Sequence, residues 1–242
     1  MSMAHQTAAI LVIGNEVLSG RTREANAYYA AGKLFNRGCR LSEVAIVPDE
    51  ADAIISTLNR LRTQFDAVIT SGGIGPTHDD ITMESIAEAF GVELIEHSYI
   101  VQAMTDHYGE EGMNEGRRRM SRVPQGAKLI RCDKTIAPGA RIGNVYILAG
   151  VPYIFESQLD SILDDFGDTP YQRIEIEVAL AESIFANQLT AIQQQFDDVE
   201  IGSYPGRCGP NPCGKICLSS QDKLRLNEAV DSVNSMLKAI SN

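Results

Sequence analysis

A short apolar run, Ala67-Val-Ile-Thr70, leads into Ser71-Gly-Gly-Ile-Gly-Pro-Thr-His-Asp-Asp-Ile-Thr82, and that stretch leads into Met83-Glu-Ser-Ile-Ala-Glu-Ala-Phe90. The run reads as a buried strand. Apolar residues at 83, 86, 87 and 90 keep helical spacing, and Gly91 stops the pattern. The stretch between is therefore a strand-to-helix loop. Its glycines, Gly72, Gly73 and Gly75, let backbone N–H groups turn toward a phosphate with no Cβ in the way. The helix start behind them adds a positive dipole end. Asp79 and Asp80 would repel a bare phosphate, and a divalent cation shared between carboxylate and phosphate oxygens removes that conflict. The loop predicts a phosphorylated small-molecule ligand together with a metal. The competing reading is a tight turn followed by an Asp or Thr N-cap.

At 242 residues the chain is one large domain, or one domain plus a small one, and 44% hydrophobic residues suffice for a core. A net charge of −11 argues against a general nucleic-acid binder. The only basic cluster is Arg117-Arg118-Arg119 with Arg122 close by, suited to a phosphate or an acidic partner. No segment has the apolar length of a membrane span. The first seven residues lack the basic start of a signal peptide, so a cytoplasmic protein is expected. Five cysteines, an odd number, predict free thiols. Cys208, Cys213 and Cys217 lie close together but lack a fourth zinc ligand, which favours chance clustering over a metal site.

Taken in order, Ala8 to Ile13 is a continuous apolar run, the mark of a strand buried on both faces. Gly14-Asn-Glu-Val-Leu-Ser-Gly20 follows as a loop. A helix is expected from Asn26 to Asn36, a strand from Leu41 to Val47, and a helix opened by Pro48-Asp49 with Ile54, Leu58, Leu61 and Phe65 on one side. With the strand at Ala67 this is β-α-β-α-β-α, an α/β doubly wound, mostly parallel sheet. Ligands then bind at the carboxyl ends of the strands. Further on, a strand is expected at 92–95, helices at 97–108 and 114–122, a strand at 145–148 and a helix at 153–165. From 171 the pattern changes. Ile174, Ile176 and Val178 alternate with charged residues, a helix is expected at 183–196, strands at 199–204 and 216–219, and a last helix at 223–240. The chain thus divides into a first domain over 1–170 and a small α+β domain over 171–242.

Four blocks together carry a resemblance. They are Gly14-Asn-Glu-Val-Leu-Ser-Gly-Arg21 with Asn26; Val47-Pro-Asp49; Ser71 to Thr82; and Ala137-Pro-Gly139 with Leu148-Ala-Gly-Val-Pro152. Residues 8 to 165 resemble the molybdopterin-binding fold of molybdenum-cofactor biosynthesis proteins (MoaB/Mog-like). The match is nearest the N-terminal part of the competence/damage-inducible protein CinA and the hydrolase domain of FAD synthases. Ile201-Gly-Ser-Tyr-Pro205 resembles the small domain that follows in CinA-type proteins.

The resemblance implies either metal-dependent pyrophosphate cleavage in ADP-ribose or FAD, or binding or adenylylation of molybdopterin. A non-catalytic binding module is the third expectation. It also implies a homo-oligomer, dimer or trimer. Asp80 matches the family's functional aspartate and Asp49 a second one. Glu16 and Asp80 are candidate ligands for Mg, Mn or Co. Asp79 is a ligand or the base, and Asp49 orients a sugar or a water, with an N-cap as its plainer alternative. Gly14, Asn15, Ser19, Gly20, Asn26, Ser71, Gly72, Gly73, Gly75, Pro76, Thr77, Thr82, Pro138 and Gly139 are the expected ligand-binding residues. His78 reads as solvated. Ala149 replaces a common proline, and residues 132–136 replace a more Gly- and Asn-rich lead. The amidase domain of full-length CinA is absent, so nicotinamide-nucleotide deamidation is not expected.

Overall fold

The computed structural model describes residues 4–208 and 211–241. It divides into two compact units, Met1–Asp168 and Thr169–Asn242. In the first unit the parallel strands are β1 (Thr7–Ile13), β2 (Arg40–Val47), β3 (Ala67–Ser71) and, later in the chain, β8 (Val145–Leu148). Between them come α1 (Asn15–Leu18), α2 (Asn26–Arg37), α3 (Ala51–Gln64) and α4 (Thr82–Phe90). Next are β4 (Leu94–Glu96), α5 (Ser98–Tyr108), α6 (Glu115–Arg119), β5 (Arg122–Pro124), β6 (Lys128–Ile130) and β7 (Gly139–Ile142). The main sheet has the order β2-β1-β3-β8-β7-β6, with β7 antiparallel to both its neighbours. Helix α7 (Pro152–Asp160) and a 3-10 turn at Leu163–Asp165 close the unit.

The continuous apolar runs follow from burial on two faces. Along β1, Ala9, Leu11 and Ile13 face Ile54, Leu58 and Leu61 of α3 and Ile86 of α4. Ala8, Ile10 and Val12 face the other way, against Ala30 and Leu34 of α2 and Phe155 and Leu159 of α7. Successive side chains of a strand point to opposite faces, so a strand covered on both sides cannot alternate polar with apolar.

Several expectations are corrected. The first loop contains the single helical turn α1. The helix expected at 114–122 ends at Arg119, and 122–124 is instead a strand paired with β4. Asn114 caps α6 by accepting from the Arg117 N–H at 3.0 Å. The helix expected at 153–165 breaks after Asp160 into the 3-10 turn. Strands β6 and β7 are too short to show a period in the sequence.

The second unit has β9 (Gln172–Val178), α8 (Glu182–Gln195), β10 (Glu200–Cys208), β11 (Asn211–Ser220) and α9 (Lys223–Ser241). Its antiparallel sheet runs β10-β11-β9, and its strands β10 and β11 are longer than expected. Val178, Ile216 and Leu218 pack with Phe185 and Ile192 of α8 and Leu226 and Val233 of α9. Arg173, Glu175 and Glu177 take the alternate positions of β9, and Lys215 pairs with Glu175 at 2.8 Å. The expectation of free thiols fails at Cys213, which is disulfide-bonded. The side chain of Cys208 lies outside the described residues. Cys39, Cys132 and Cys217 are free.

Two tests follow from this packing. Burial pushes the Cys39 thiol up to about 12, whereas Cys132 lines an open cavity. Iodoacetamide at about pH 8 should modify Cys132 in the native protein and reach Cys39 only after unfolding in urea, read by peptide mass spectrometry. At the amino end of β1, the His5 imidazole meets the Tyr146 hydroxyl at 3.1 Å, and that hydroxyl donates to Asp165 Oδ2 at 2.9 Å. Arg141 donates to the same oxygen at 2.7 Å. Burial, then the Arg141 charge, lowers the His5 pKa below its ordinary 6.5. The folded protein therefore binds fewer protons than the unfolded chain as pH drops through that value. This contribution is complete above 6.5 and is lost below it. The urea midpoint of the wild type should fall more steeply between about pH 7.5 and 5.5 than that of His5→Gln.

Candidate functional site

The chain leaves β1, crosses one face through α2 to β2, and returns across the other face through α3 to β3. β1 and β3 are neighbours, so their outgoing loops part at a topological switch point. A crevice opens there beyond the carboxyl ends. The loops at 14–20 and 71–82 both begin at this point.

The second loop is shaped by two glycines. Gly72 and Gly73 have φ of 104° and 67°, in the left-handed region. A Cβ at Gly72 would collide with the Ile13 carbonyl oxygen, and one at Gly73 with Thr82 Oγ1. Only glycine fits either position. Fully buried Thr82 then fastens the turn: its hydroxyl donates to the Gly72 carbonyl at 3.0 Å and its N–H to the Gly73 carbonyl at 3.0 Å. Among the described residues the N–H groups of Gly73, Ile74 and Gly75 donate to nothing. Successive free N–H groups of this kind form an anion-binding concavity.

Asp80 closes the loop. Its Oδ2 accepts from the Thr77 N–H at 2.8 Å and the Thr77 hydroxyl at 2.5 Å. A Cβ on Gly75 would stand 2.7 Å from the same oxygen, so the backbone there lies against the carboxylate. Oδ1 receives no hydrogen bond among the described residues. The N-cap reading of this stretch fails, since Ile81 holds the cap position of α4 without a side-chain bond. Asp79 is exposed, and its carboxyl is held below the usual range. The nearby Thr77 hydroxyl lowers it most, although its one proton goes to Asp80 in this structure; the Asp79 backbone N–H, His78 and Arg119 lower it further. The His78 ring is solvated, as expected, and stands 4.0 Å from Asp79.

Asp49 is no helix cap either. Glu50 precedes α3 without a side-chain bond, while Asp49 Oδ2 accepts from the Asn15 N–H at 2.8 Å. It ties the end of β2 to the first loop. Glu16 folds back over Gly14, where a Cβ would lie 2.6 Å from its Oε1. Ser19 donates to the Glu16 carbonyl at 3.3 Å, and both Ser19 and Gly20 are exposed. Asn26 is buried. Its amide donates to Ser71 Oγ and to the Gly150 carbonyl, both at 2.8 Å, and its Oδ1 has no partner.

Pro138 and Gly139 come from a different part of the sheet. Pro138 joins Gly73, Gly75, Asp80 and Arg119 in lining a narrow cleft. Gly139 lies beside Gln158, whose Oε1 accepts from the Ala149 N–H at 2.9 Å. Pro76 packs under the start of α6, 3.2 Å from a Cβ placed on Gly116. The proposed metal pair is not drawn together by any contact of its own: Glu16 lies against Gly14 and Asp80 against Thr77. Among the described residues no three His, Cys, Asp or Glu side chains form a metal-ligating group.

Two further residues at this end of the sheet lie outside the expected ligand-binding set. Arg119 donates to the Thr77 carbonyl at 2.8 Å and to Glu84 Oε1 at 3.2 Å, and its buried Nε has no partner. Its signal was the basic cluster at 117–119. Gln158 is fully buried with a free Nε2, and a glutamine in an amphipathic helix gives no warning of that.

Comparison with known proteins places the chain in a family. A family profile described as probable molybdopterin binding domain matches residues 9–167, and one described as FAD synthase, middle domain, matches 170–241. A protein of Archaeoglobus fulgidus is 31% identical over 228 residues, covering 94% of this chain and 96% of that one. A probable FAD synthase of Caenorhabditis elegans is 31% identical over 259 residues, covering 96% of this chain and 50% of its own. A CinA-like protein of Citrifermentans bemidjiense is 36% identical over 209 residues, 80% of this chain and 49% of that one. The chain thus spans about half the length of the last two. The crystal structure of a CinA protein of unknown function from Thermoplasma acidophilum matches with a TM-score of 0.62 at 30% identity. That match covers 66% of this chain and 97% of that one. The chain therefore belongs to the molybdopterin-binding-domain family, as a CinA-like member in which an FAD-synthase middle domain follows.

Proposed function

We propose that this protein binds a phosphorylated, nucleotide-like ligand at the β1–β3 switch point and hydrolyses its pyrophosphate with a divalent cation. The observation that carries the reading is the turn at Gly73–Gly75, with three unpartnered N–H groups beside the free Oδ1 of Asp80. The relatives' descriptions support the ligand class, since FAD and molybdopterin both join a ring system to phosphate. Asp80 fits a hard cation by its free Oδ1, since Mg-like ions use one or two carboxylates together with substrate phosphates; Glu16, folded over Gly14, would have to move to become the second ligand. Bound there, the ion would neutralise pyrophosphate charge and acidify a water.

The chain's own residues supply the remaining steps. The glycine N–H groups hold the departing phosphate, and Arg119 fixes the curvature of the loop through the Thr77 carbonyl. Asp79, which is ionised at neutral pH but a weak base because its carboxyl is held below the usual range, takes the proton of the attacking water. The water oxygen bonds to one phosphorus as the bridging P–O bond breaks, giving two phosphate monoesters. Asp49 keeps the first loop in place through Asn15. The family description favours a second reading, in which the same cleft binds or adenylylates molybdopterin. In that case pterin stays with the purified protein and no AMP forms.

Incubation with ADP-ribose, FAD and NAD plus Mg, Mn or Co should release AMP, detected by mass spectrometry. Asp80→Asn should reduce the rate by roughly 10²–10³, the scale of losing one preorganised electrostatic group, with little change in melting temperature. No AMP under any condition, or full activity in Asp80→Asn, would overturn the hydrolase reading. Asn26→Ala leaves the Ser71 hydroxyl and the Gly150 carbonyl short of a donor. It should lower stability by about 1–3 kcal/mol and raise KM more than it lowers kcat.

A further inference from the structure

A second cavity, of about 480 Å³, opens beside the cleft. One wall is α5, where Tyr99, Asp106 and His107 flank the buried Ile100 and Met104. The other wall is the segment between β6 and β7, which contributes Arg131 and Cys132. The Arg131 guanidinium lies 4.0 Å from the centre of the Tyr99 ring, and Tyr99 is 44% exposed. Pro138 lines this cavity and also the narrow cleft that holds Gly73, Gly75 and Asp80.

We propose that the cavity takes the aromatic base of a nucleoside whose phosphates lie on the glycine turn; the proposal rests on the phosphate reading above. The half-exposed Tyr99 ring and the Arg131 guanidinium over it supply π surface of the kind on which a heteroaromatic ring stacks, and such stacking tolerates different bases. Asp106 Oδ1 accepts from the Gln102 amide at 2.7 Å, and its Oδ2 remains to accept from an exocyclic amine or a ribose hydroxyl. The Arg131 charge favours a ligand that carries anionic groups. The wall shared at Pro138 makes the two spaces neighbours, so one molecule with a ring at one end and a pyrophosphate in its middle occupies both. None of Tyr99, Asp106 and Arg131 has a part in the hydrolysis described above, and their place in the fold assigns them to recognition.

Cys132 provides a reporter within the cavity. The rate of its alkylation by iodoacetamide would be followed by peptide mass spectrometry with ADP-ribose, with inorganic pyrophosphate, or with no addition, and calorimetry would establish binding in parallel. ADP-ribose should slow modification of Cys132 several-fold, whereas pyrophosphate should leave it unchanged. Tyr99→Ala should abolish the protection and weaken ADP-ribose about tenfold or more, the scale of losing one stacking platform, while pyrophosphate affinity and melting temperature stay constant. If ADP-ribose binds in a manner that needs Asp80 but leaves Cys132 unprotected, or if Tyr99→Ala binds it as well as wild type, the base site is overturned and the phosphate cleft stands. If neither ADP-ribose nor pyrophosphate binds, both readings fall.

Discussion

One side-chain amide holds the carboxyl end of the sheet together. Asn26, at the start of α2, donates to the Ser71 hydroxyl at the end of β3 and to the Gly150 carbonyl after β8. It thereby links a helix to two adjacent strand ends at the height where their loops begin. Gly72 depends on that link. Its N–H reaches the Leu148 carbonyl at 3.3 Å, and a Cβ on Gly150 would stand 3.0 Å from its Cα. Thr82 can fasten the next turn only because Gly72 and Gly73 already sit against β1 and β8. The free N–H groups of the turn are thus the last member of a chain of buried hydrogen bonds. Buried donors and acceptors resist displacement because breaking one leaves its partner unsatisfied.

Much of the fold could be read from residue patterns, for a physical reason. β1, β3 and β8 are buried on both faces, and α2, α3 and α4 present one apolar stripe each, so burial wrote itself into the periodicity. The middle of the chain was harder. β5, β6 and β7 are three or four residues long, which is too short for a period of two to register. Arg122-Val-Pro124 continued a helical-looking run of arginines, and only its pairing with Leu94–Glu96 makes it a strand. The disulfide at Cys213 went unread because cysteine count speaks of compartment and not of proximity.

The site shows the same division. The glycines, Thr82 and Asp80 were legible because their spacing is a local property of one loop. What each carboxylate does was not, since it depends on loops that meet only after folding. Asp49, adjacent in sequence to a helix, bonds instead to Asn15, 34 positions away. Asp80, adjacent to another helix, bonds back to Thr77. In both cases the helix-cap reading was the natural local inference; a tertiary contact replaced it at Asp49, and a bond within the same loop replaced it at Asp80. Arg119 enters the cleft from α6, far along the chain from the glycine loop, and nothing in its neighbourhood of arginines marked it from the others.

The knot of His5, Tyr146, Asp165 and Arg141 gathers around the amino end of β1, while the glycine turn follows the carboxyl end of its neighbour β3. The two poles are joined by β1 and β3, whose side chains from Ala8 to Ile13 and from Ala67 to Ile69 are apolar and buried. The network at the amino end thus has no part in shaping the glycine turn, whereas Asn26 at the carboxyl end both holds the strand ends together and sets that turn. A lineage carrying this fold can change the exposed loop residues beyond Asn26 and Thr82 while these two buried anchors and the network at the amino end keep the sheet in place. The same separation makes the amino pole the place to add robustness before the carboxyl pole is redesigned.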